Sequence, residues 1–202
     1  MTPGGRGEPE PPSDWVAGHL DLIPAGGTVV DVAAGGGRHT RLLRARGHPV
    51  VAIDIDTSRL DAGAPAASGT GPPSTATGAV ADVEVVTADL EGPGPAGGWP
   101  LVGRRFAGVV VTRYLHRPLL PVLVEAVEPG GVLLYETFMV GHPALGGHPS
   151  NPDFLLQPGE LVAAATAGGL AVVASQEGPV SLPRPSVVQR IAAVRPGGQW
   201  AT

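Results

Sequence analysis

Seven short apolar runs recur along the chain, separated by helical or turn-rich segments. Thr28–Val32, Pro49–Ile55, Val83–Thr87, Phe106–Thr112, Val132–Phe138, Leu170–Ser175 and Ser186–Val194 each have the length and content of a strand. The first is continuous rather than alternating, the pattern of a strand buried on both faces. Between the runs, spacing and caps predict helices. A short one carries Trp15, Val16, His19 and Leu20 behind a Ser13 or Asp14 cap, and another spans Arg38–Arg46 and closes at Gly47. A third begins near Thr57, a fourth covers Leu119–Val127, and a fifth opens near Pro158 and continues through Leu161–Thr166. Strands alternating with helices predict an α/β fold: a Rossmann-like, mostly parallel seven-stranded sheet with helices on both faces. The Gly178–Pro185 connection is too short for a helical crossover, so the final two strands should pair antiparallel.

Three segments break this rhythm. Residues 1–12 are rich in Pro, Gly and Glu and predict a disordered tail ahead of a single domain over 13–202. Residues 62–79, AGAPAASGTGPPSTATGA, are of low complexity and cannot bury enough apolar surface to offset the entropy of ordering, so they read as a flexible insertion. Residues 141–158 form a polar loop, long enough to suggest function or mobility.

Composition narrows the function classes. The chain has 202 residues, 31 of them glycine and 23 proline, and these fall mostly between the apolar runs, where they punctuate a fold. A net charge of −5 with no basic stripe argues against a nucleic-acid partner. All thirteen basic residues are arginine. No cysteine is present, so there is no thiol nucleophile or thiolate metal site, which fits a cytoplasmic protein. The N-terminus has no apolar signal core, and no run is long enough to span a membrane.

The chemistry concentrates in Val29–Asp54, VVDVAAGGGRHTRLLRARGHPVVAID. An apolar strand runs into a triple-glycine turn, then a short helix, then a second apolar strand with a carboxylate at its end. Glycine lets backbone approach a ligand closely, and the helix behind it offers free N–H groups to an anion. Asp54 stands where a carboxylate can accept bonds from ribose hydroxyls. The arrangement suits an adenosine-bearing cofactor. A nicotinamide dinucleotide site would need glycine at position 40, counted from Gly35, but Thr40 is there.

On these residues the chain resembles class I S-adenosylmethionine (SAM)-dependent methyltransferases, and among them small ones related to tellurite-resistance methyltransferases. The match runs from about Ser13 to Arg195, without the insertion. Asp31-Val32-Ala33-Ala34-Gly35-Gly36-Gly37-Arg38 is similar to the family's acidic-x-Gly-x-Gly-x-Gly motif, with Ala33 in place of the first glycine. The resemblance implies that Asp54 holds the ribose. It also implies that Asp89, in Thr87-Ala88-Asp89-Leu90, faces the adenine amino group, and that the strand end at Thr112 holds the methionine amino group. Glu128-Pro129-Gly130-Gly131 and Phe154–Leu161 resemble further family segments. The implied cofactor is SAM, and the implied activity is methyl transfer to a small-molecule acceptor, with a soft chalcogen or thiol as one class. An NAD(P)-dependent oxidoreductase and a non-catalytic cofactor-binding protein are the alternatives.

Several residues carry two readings each. Asp31 could reach the cofactor through water or orient the turn, and Arg38 could pair with the cofactor carboxylate or be solvated. Tyr114, His116 and Arg117 follow the fourth strand and could line the acceptor pocket or pack beneath the next helix. Glu136 could give that pocket polarity or make a salt bridge. Asp56 reads as a helix cap, Trp99 as a core plug, and His142 and His148 as too few for a metal site.

Overall fold

The computed structural model describes residues 10–60, 82–93, 98–181 and 184–197. The expected insertion at 62–79 and the first nine residues of the expected tail lie outside these. The described elements are α1 (Asp14–Gly18), β1 (Val29–Val32), α2 (Arg38–Ala45), β2 (Val50–Asp54), β3 (Val83–Thr87), β4 (Phe106–Thr112), α3 (Leu120–Glu125), β5 (Val127–Phe138), α4 (Glu160–Ala167), β6 (Ala171–Val180) and β7 (Ser186–Val194).

Among the described residues the strands form one sheet in the order β3-β2-β1-β4-β5-β7-β6. The β3-β2-β1-β4-β5 part is parallel, and β7 runs antiparallel to both β5 and β6. The central strands are buried on both faces: every residue of β1 and β4 is inaccessible or nearly so. Their alternation sorts side chains onto two layers. On one face, Val29, Val50, Val110 and Leu134 pack with Val16 of α1 and Leu43 of α2. On the other, Val30, Val109 and Leu133 pack with Leu123 of α3 and Leu161 of α4. Trp99 is buried in this second layer, as a core plug would be.

Several boundaries differ from expectation. β6, expected to end at Ser175, runs on to Val180 and stays paired with β7, so the turn between them is shorter than Gly178–Pro185. The helix expected over Leu119–Val127 begins as a 3-10 turn at Arg117–Leu119 and ends at Glu125, because Val127 already pairs with Phe106 in the sheet. The Pro129-Gly130-Gly131 turn therefore does not precede β5 but bulges within it, as the partner strand steps only from Phe106 to Gly108 while β5 advances from Val127 to Val132. The loop over 141–158 is less polar in its packing than its sequence. Its Leu155 and Leu156 are buried, and so is His142, which stacks on Phe138 at 4.2 Å and accepts the Val187 N–H at Nδ1.

Candidate functional site

The carboxyl ends of β1 and β4 lie side by side, where an open α/β sheet forms its ligand crevice. Backbone strain marks the same place. Ala33, just past β1, has φ +54°, and Arg113, just past β4, has φ +55°; they are the two non-glycine residues with positive φ among those described. A left-handed L-residue costs about 1–2 kcal/mol, and such strain collects at functional sites.

Sheet alternation places Asp31, Asp54, Thr112 and Glu136 on the α1/α2 face of this edge. Asp54, at the end of β2, is already engaged: Oδ2 accepts the Gly35 N–H at 2.7 Å and Oδ1 accepts the Asp56 N–H at 3.0 Å. The carboxylate thus ties the glycine turn to the end of β2. Asp56 caps a 3-10 turn at Thr57–Arg59 through the Ser58 N–H. Asp31 is buried and accepts the Thr40 hydroxyl at 2.6 Å, so β1 and α2 are bound together through position 40. That buried hydroxyl occupies the contact where a dinucleotide fold needs glycine. Burial pushes the Asp31 carboxyl up to about 6, against the Thr40 hydrogen bond, which lowers it.

The turn fits an adenosyl cofactor on the protein's own geometry. Gly35 and Gly37 have φ of +55° and +74°, which glycine tolerates. Gly36 does not have that excuse. A Cβ built there meets no atom of the described residues within 4 Å, so none of them demands its smallness, and the open space beside it suits a ligand lying against backbone. A second sign comes from Tyr114, whose buried hydroxyl has no hydrogen-bond partner among the described residues. Burial, with Glu91 and Asp89 nearby, pushes its phenol well above the ordinary range. Asp89 is exposed and accepts the Glu91 N–H through Oδ1, an Asx-type turn. The Leu90 side chain is buried in the core.

The acceptor-side candidates separate. Arg117 is committed to the fold: Nε and Nη2 donate to Glu160, Nη1 to the Asp153 carbonyl and Nη2 also to the Leu155 carbonyl. Two of its donors are spent on Glu160 of α4 and two on carbonyls of the 141–158 loop, so the guanidinium is engaged within the fold. Glu136 makes the salt bridge rather than a free pocket group. Its Oε2 lies 3.0 Å from Arg190 Nε, close enough for charge attraction though not aligned as a hydrogen bond, and accepts the Ser13 hydroxyl at 3.2 Å. Burial raises its pKa, and Arg190 and Ser13 oppose the shift. His116 is half-buried, and its ring has no hydrogen-bond partner among the described residues. The Tyr135 hydroxyl donates to the Tyr114 carbonyl at 2.9 Å and fixes the strand end that carries both Tyr114 and His116.

Ser13 caps α1 with its hydroxyl, as one of the two caps expected, but sequence reasoning missed what the segment ahead of that helix binds. The Ser13 N–H donates to His39 Nε2 at 3.0 Å. His39 Nδ1 must then carry the proton and face Thr112 Oγ1 at 3.3 Å. Burial, reinforced by Arg38 and Arg113, drives the imidazole down to about 3, so it is neutral. Glu10, assigned to a disordered tail, is bound by Arg113 through two bonds of 2.6 and 2.7 Å and by Arg38 at 3.1 Å. Its one legible signal was the Pro11-Pro12 pair that stiffens the approach to Ser13.

No family model matches the chain, and no curated protein matches it in sequence. Solved structures do resemble it. A TehB-like SAM-dependent methyltransferase from Corynebacterium glutamicum superposes with a TM-score of 0.56 at 18% identity, over 90% of this chain and 87% of that one. The glycopeptide N-methyltransferase MtfA gives 0.57 at 21% identity, over 91% and 89%, and has been solved with SAM, S-adenosylhomocysteine and sinefungin. TehB from Haemophilus influenzae gives 0.63 at 15% identity, over 90% of this chain and 61% of that one. With this strand order, the antiparallel β7 and the glycine turn at the carboxyl edge, the chain has the fold of class I SAM-dependent methyltransferases.

Proposed function

We propose that this protein is a SAM-dependent methyltransferase acting on a small acceptor. The observation that carries the reading is the juxtaposition of Gly36, small for no packing reason among the described residues, with the Asp54 carboxylate at the adjoining strand end. The cofactor supplies a methyl group already activated on a sulfonium, so the chain's work is binding, orientation and exclusion of water. Asp54 would hold the ribose hydroxyls while keeping the turn in place. Asp89, with the backbone at Leu90, would face the adenine, and the unpartnered Tyr114 hydroxyl would find its partner on the same side. Asp31, Ala33, Gly35 and Gly37 shape the turn, Arg38 faces the amino-acid end, and Thr112 closes the β4 side.

Of the acceptor-side candidates this reading keeps His116, while Tyr114, beside Asp89 and Glu91, turns to the adenine side. Glu136 is held by Arg190 and Ser13, His39 has both ring nitrogens engaged, and the Tyr114 phenol is shifted away from ionising. Among the described residues His116 is left as the candidate for contact with the acceptor or its proton. A soft acceptor such as a chalcogen or thiolate, which attacks without deprotonation at the site, fits this shortage of free bases. The lack of cysteine fits the reducing cytoplasm.

Calorimetric titration with S-adenosylhomocysteine, with NADH as the control ligand, tests the reading. Binding of the first and not the second is expected, and no heat from S-adenosylhomocysteine at millimolar concentration overturns it. Asp54→Ala should then weaken binding about 10- to 100-fold, the loss of hydrogen bonds to a charged group. Unchanged affinity refutes the ribose assignment.

A further inference from the structure

Arg38 and Arg113 come from opposite sides of the crevice. Arg38 opens α2 directly behind the glycine turn, and Arg113 leaves the end of β4 in its left-handed conformation. Arg38 is largely buried, its pKa is lowered first by that burial, and the next cause is the charge of Arg113. Two guanidinium groups placed this way need an anion. The chain supplies one from its own N-terminal segment. The Glu10 carboxylate bridges both, bidentate on Arg113 and single on Arg38, and Arg38 Nη1 also donates to the Pro11 carbonyl at 3.4 Å. The Arg113 hydrogen bond is the largest cause that holds Glu10 below the usual carboxylate range, and Arg38 and Arg184 act in the same direction.

The attachment is built to hold Glu10 close without locking it. Three residues on, Ser13 is buried and anchored to His39, Glu136 and α1 at once, and Pro11-Pro12 stiffens the link between. The Glu10 side chain itself is 32% exposed, so it can leave without opening the core. A short tether keeps its effective concentration at the arginines high.

We infer that the Arg38–Arg113 pair is a binding site for a ligand carboxylate and that Glu10 is its internal occupant, displaced when the ligand enters. The inference rests on the cofactor reading above for where the ligand lies, but not for the chemistry of the site. The carboxylate could belong to the cofactor's amino-acid end or to the acceptor, and the two sources give different results.

The test compares the full chain with Glu10→Gln and with Glu10→Gln/Arg113→Gln. Each is titrated calorimetrically with S-adenosylhomocysteine and with 5′-methylthioadenosine, which keeps the adenosyl thioether but lacks the amino acid. Malonate is then added to each protein, with and without saturating S-adenosylhomocysteine, and the thermal midpoint followed. If the cofactor carboxylate displaces Glu10, Glu10→Gln should bind S-adenosylhomocysteine roughly three- to thirtyfold more tightly, the inverse of the fraction with Glu10 out, and 5′-methylthioadenosine unchanged. If the acceptor carboxylate does so, Glu10→Gln should leave both affinities unchanged yet gain a malonate response while S-adenosylhomocysteine is bound. In either case Arg113→Gln should cancel the gain. Equal or weaker S-adenosylhomocysteine binding by Glu10→Gln, together with the same malonate response in all three proteins, overturns the inference and leaves Glu10 as a structural strap. Failure of both adenosyl ligands to bind any of the proteins refutes the cofactor reading instead, and malonate without cofactor still decides the carboxylate site.

Discussion

The two halves of the crevice are held together in different ways. The β1–β2 half is local: Asp54 reaches Gly35 across 19 residues and Thr40 reaches Asp31 across 9. The β4–β5–β7 half is assembled from afar: Arg113 meets Glu10 across 103 residues, Ser13 meets Glu136 across 123, and Arg190 meets Asp14 across 176. The first half presents backbone and carboxylates to the open carboxyl edge, where the proposed cofactor would lie. The second is an ionic network whose charges mostly satisfy one another. The geometry of the first wall is thus encoded by a short supersecondary unit, while the shape and charge of the opposite wall depend on the whole fold.

Breaking the distant half should have the largest effect on stability. Arg190→Met leaves Glu136 buried with its Ser13 hydrogen bond but without its cation. We expect a loss of about 3–5 kcal/mol in urea unfolding, the cost of stranding one member of a buried pair. Arg190→Met with Glu136→Gln should recover most of it. A single variant that unfolds no more easily than the parent would mean that the pair contributes nothing to holding this wall.

Acid probes the local half at two buried groups, Asp31 of β1 and His39 of α2, which respond in opposite directions. The His39 pKa falls on folding from 6.5 to about 3, so its contribution is present above pH 6.5 and is lost as pH drops through about 3. The Asp31 pKa rises on folding from 3.8 to about 6, so its contribution is present below pH 3.8 and is lost as pH rises through about 6. Between pH 4 and 6, His39→Gln should flatten the decline in stability on acidification. Asp31→Asn should steepen it, by on the order of 2 kcal/mol across the window. Unfolding midpoints measured at several pH values for the two variants check both signs, and parallel curves for all three proteins would contradict the burial of both groups.

The smallest expected effect lies in the turn itself. Ala33→Gly removes a left-handed alanine and adds the entropy of glycine to the unfolded chain, a net gain of up to about 1 kcal/mol. A loss of stability would mean that the Ala33 methyl packs well enough to outweigh its backbone strain.

The same contrast explains what could be read in advance. Asp54 and the glycines were legible because their meaning is carried by neighbours in sequence, an apolar run before and a helix after. The parallel core was legible because strands buried on both faces have no polar face to conceal. Glu10 was not, since nothing in a Pro- and Glu-rich tail says that two arginines 28 and 103 positions away will be brought to it. Arg117 and Glu136 were found at the right edge, but sequence could not say which charges would neutralise them. Thr40 was noticed as a missing glycine, and its structural work appears only once Asp31 is seen beneath it. Strand ends locate a site, and the partners of its charges come from the tertiary fold.

The insertion of β7 between β5 and β6 also sets the order in which the molecule can be made. Until β7 leaves the ribosome, β5 has an unpaired edge and β6 has no strand to join. The same strand carries Arg190, and with it the groups that Asp14, Trp15 and Glu136 await. A chain truncated before Ser186 would have its glycine turn complete, its distant wall unbuilt and the β5 edge open to misassembly, so adding β7 both finishes the crevice and closes that edge.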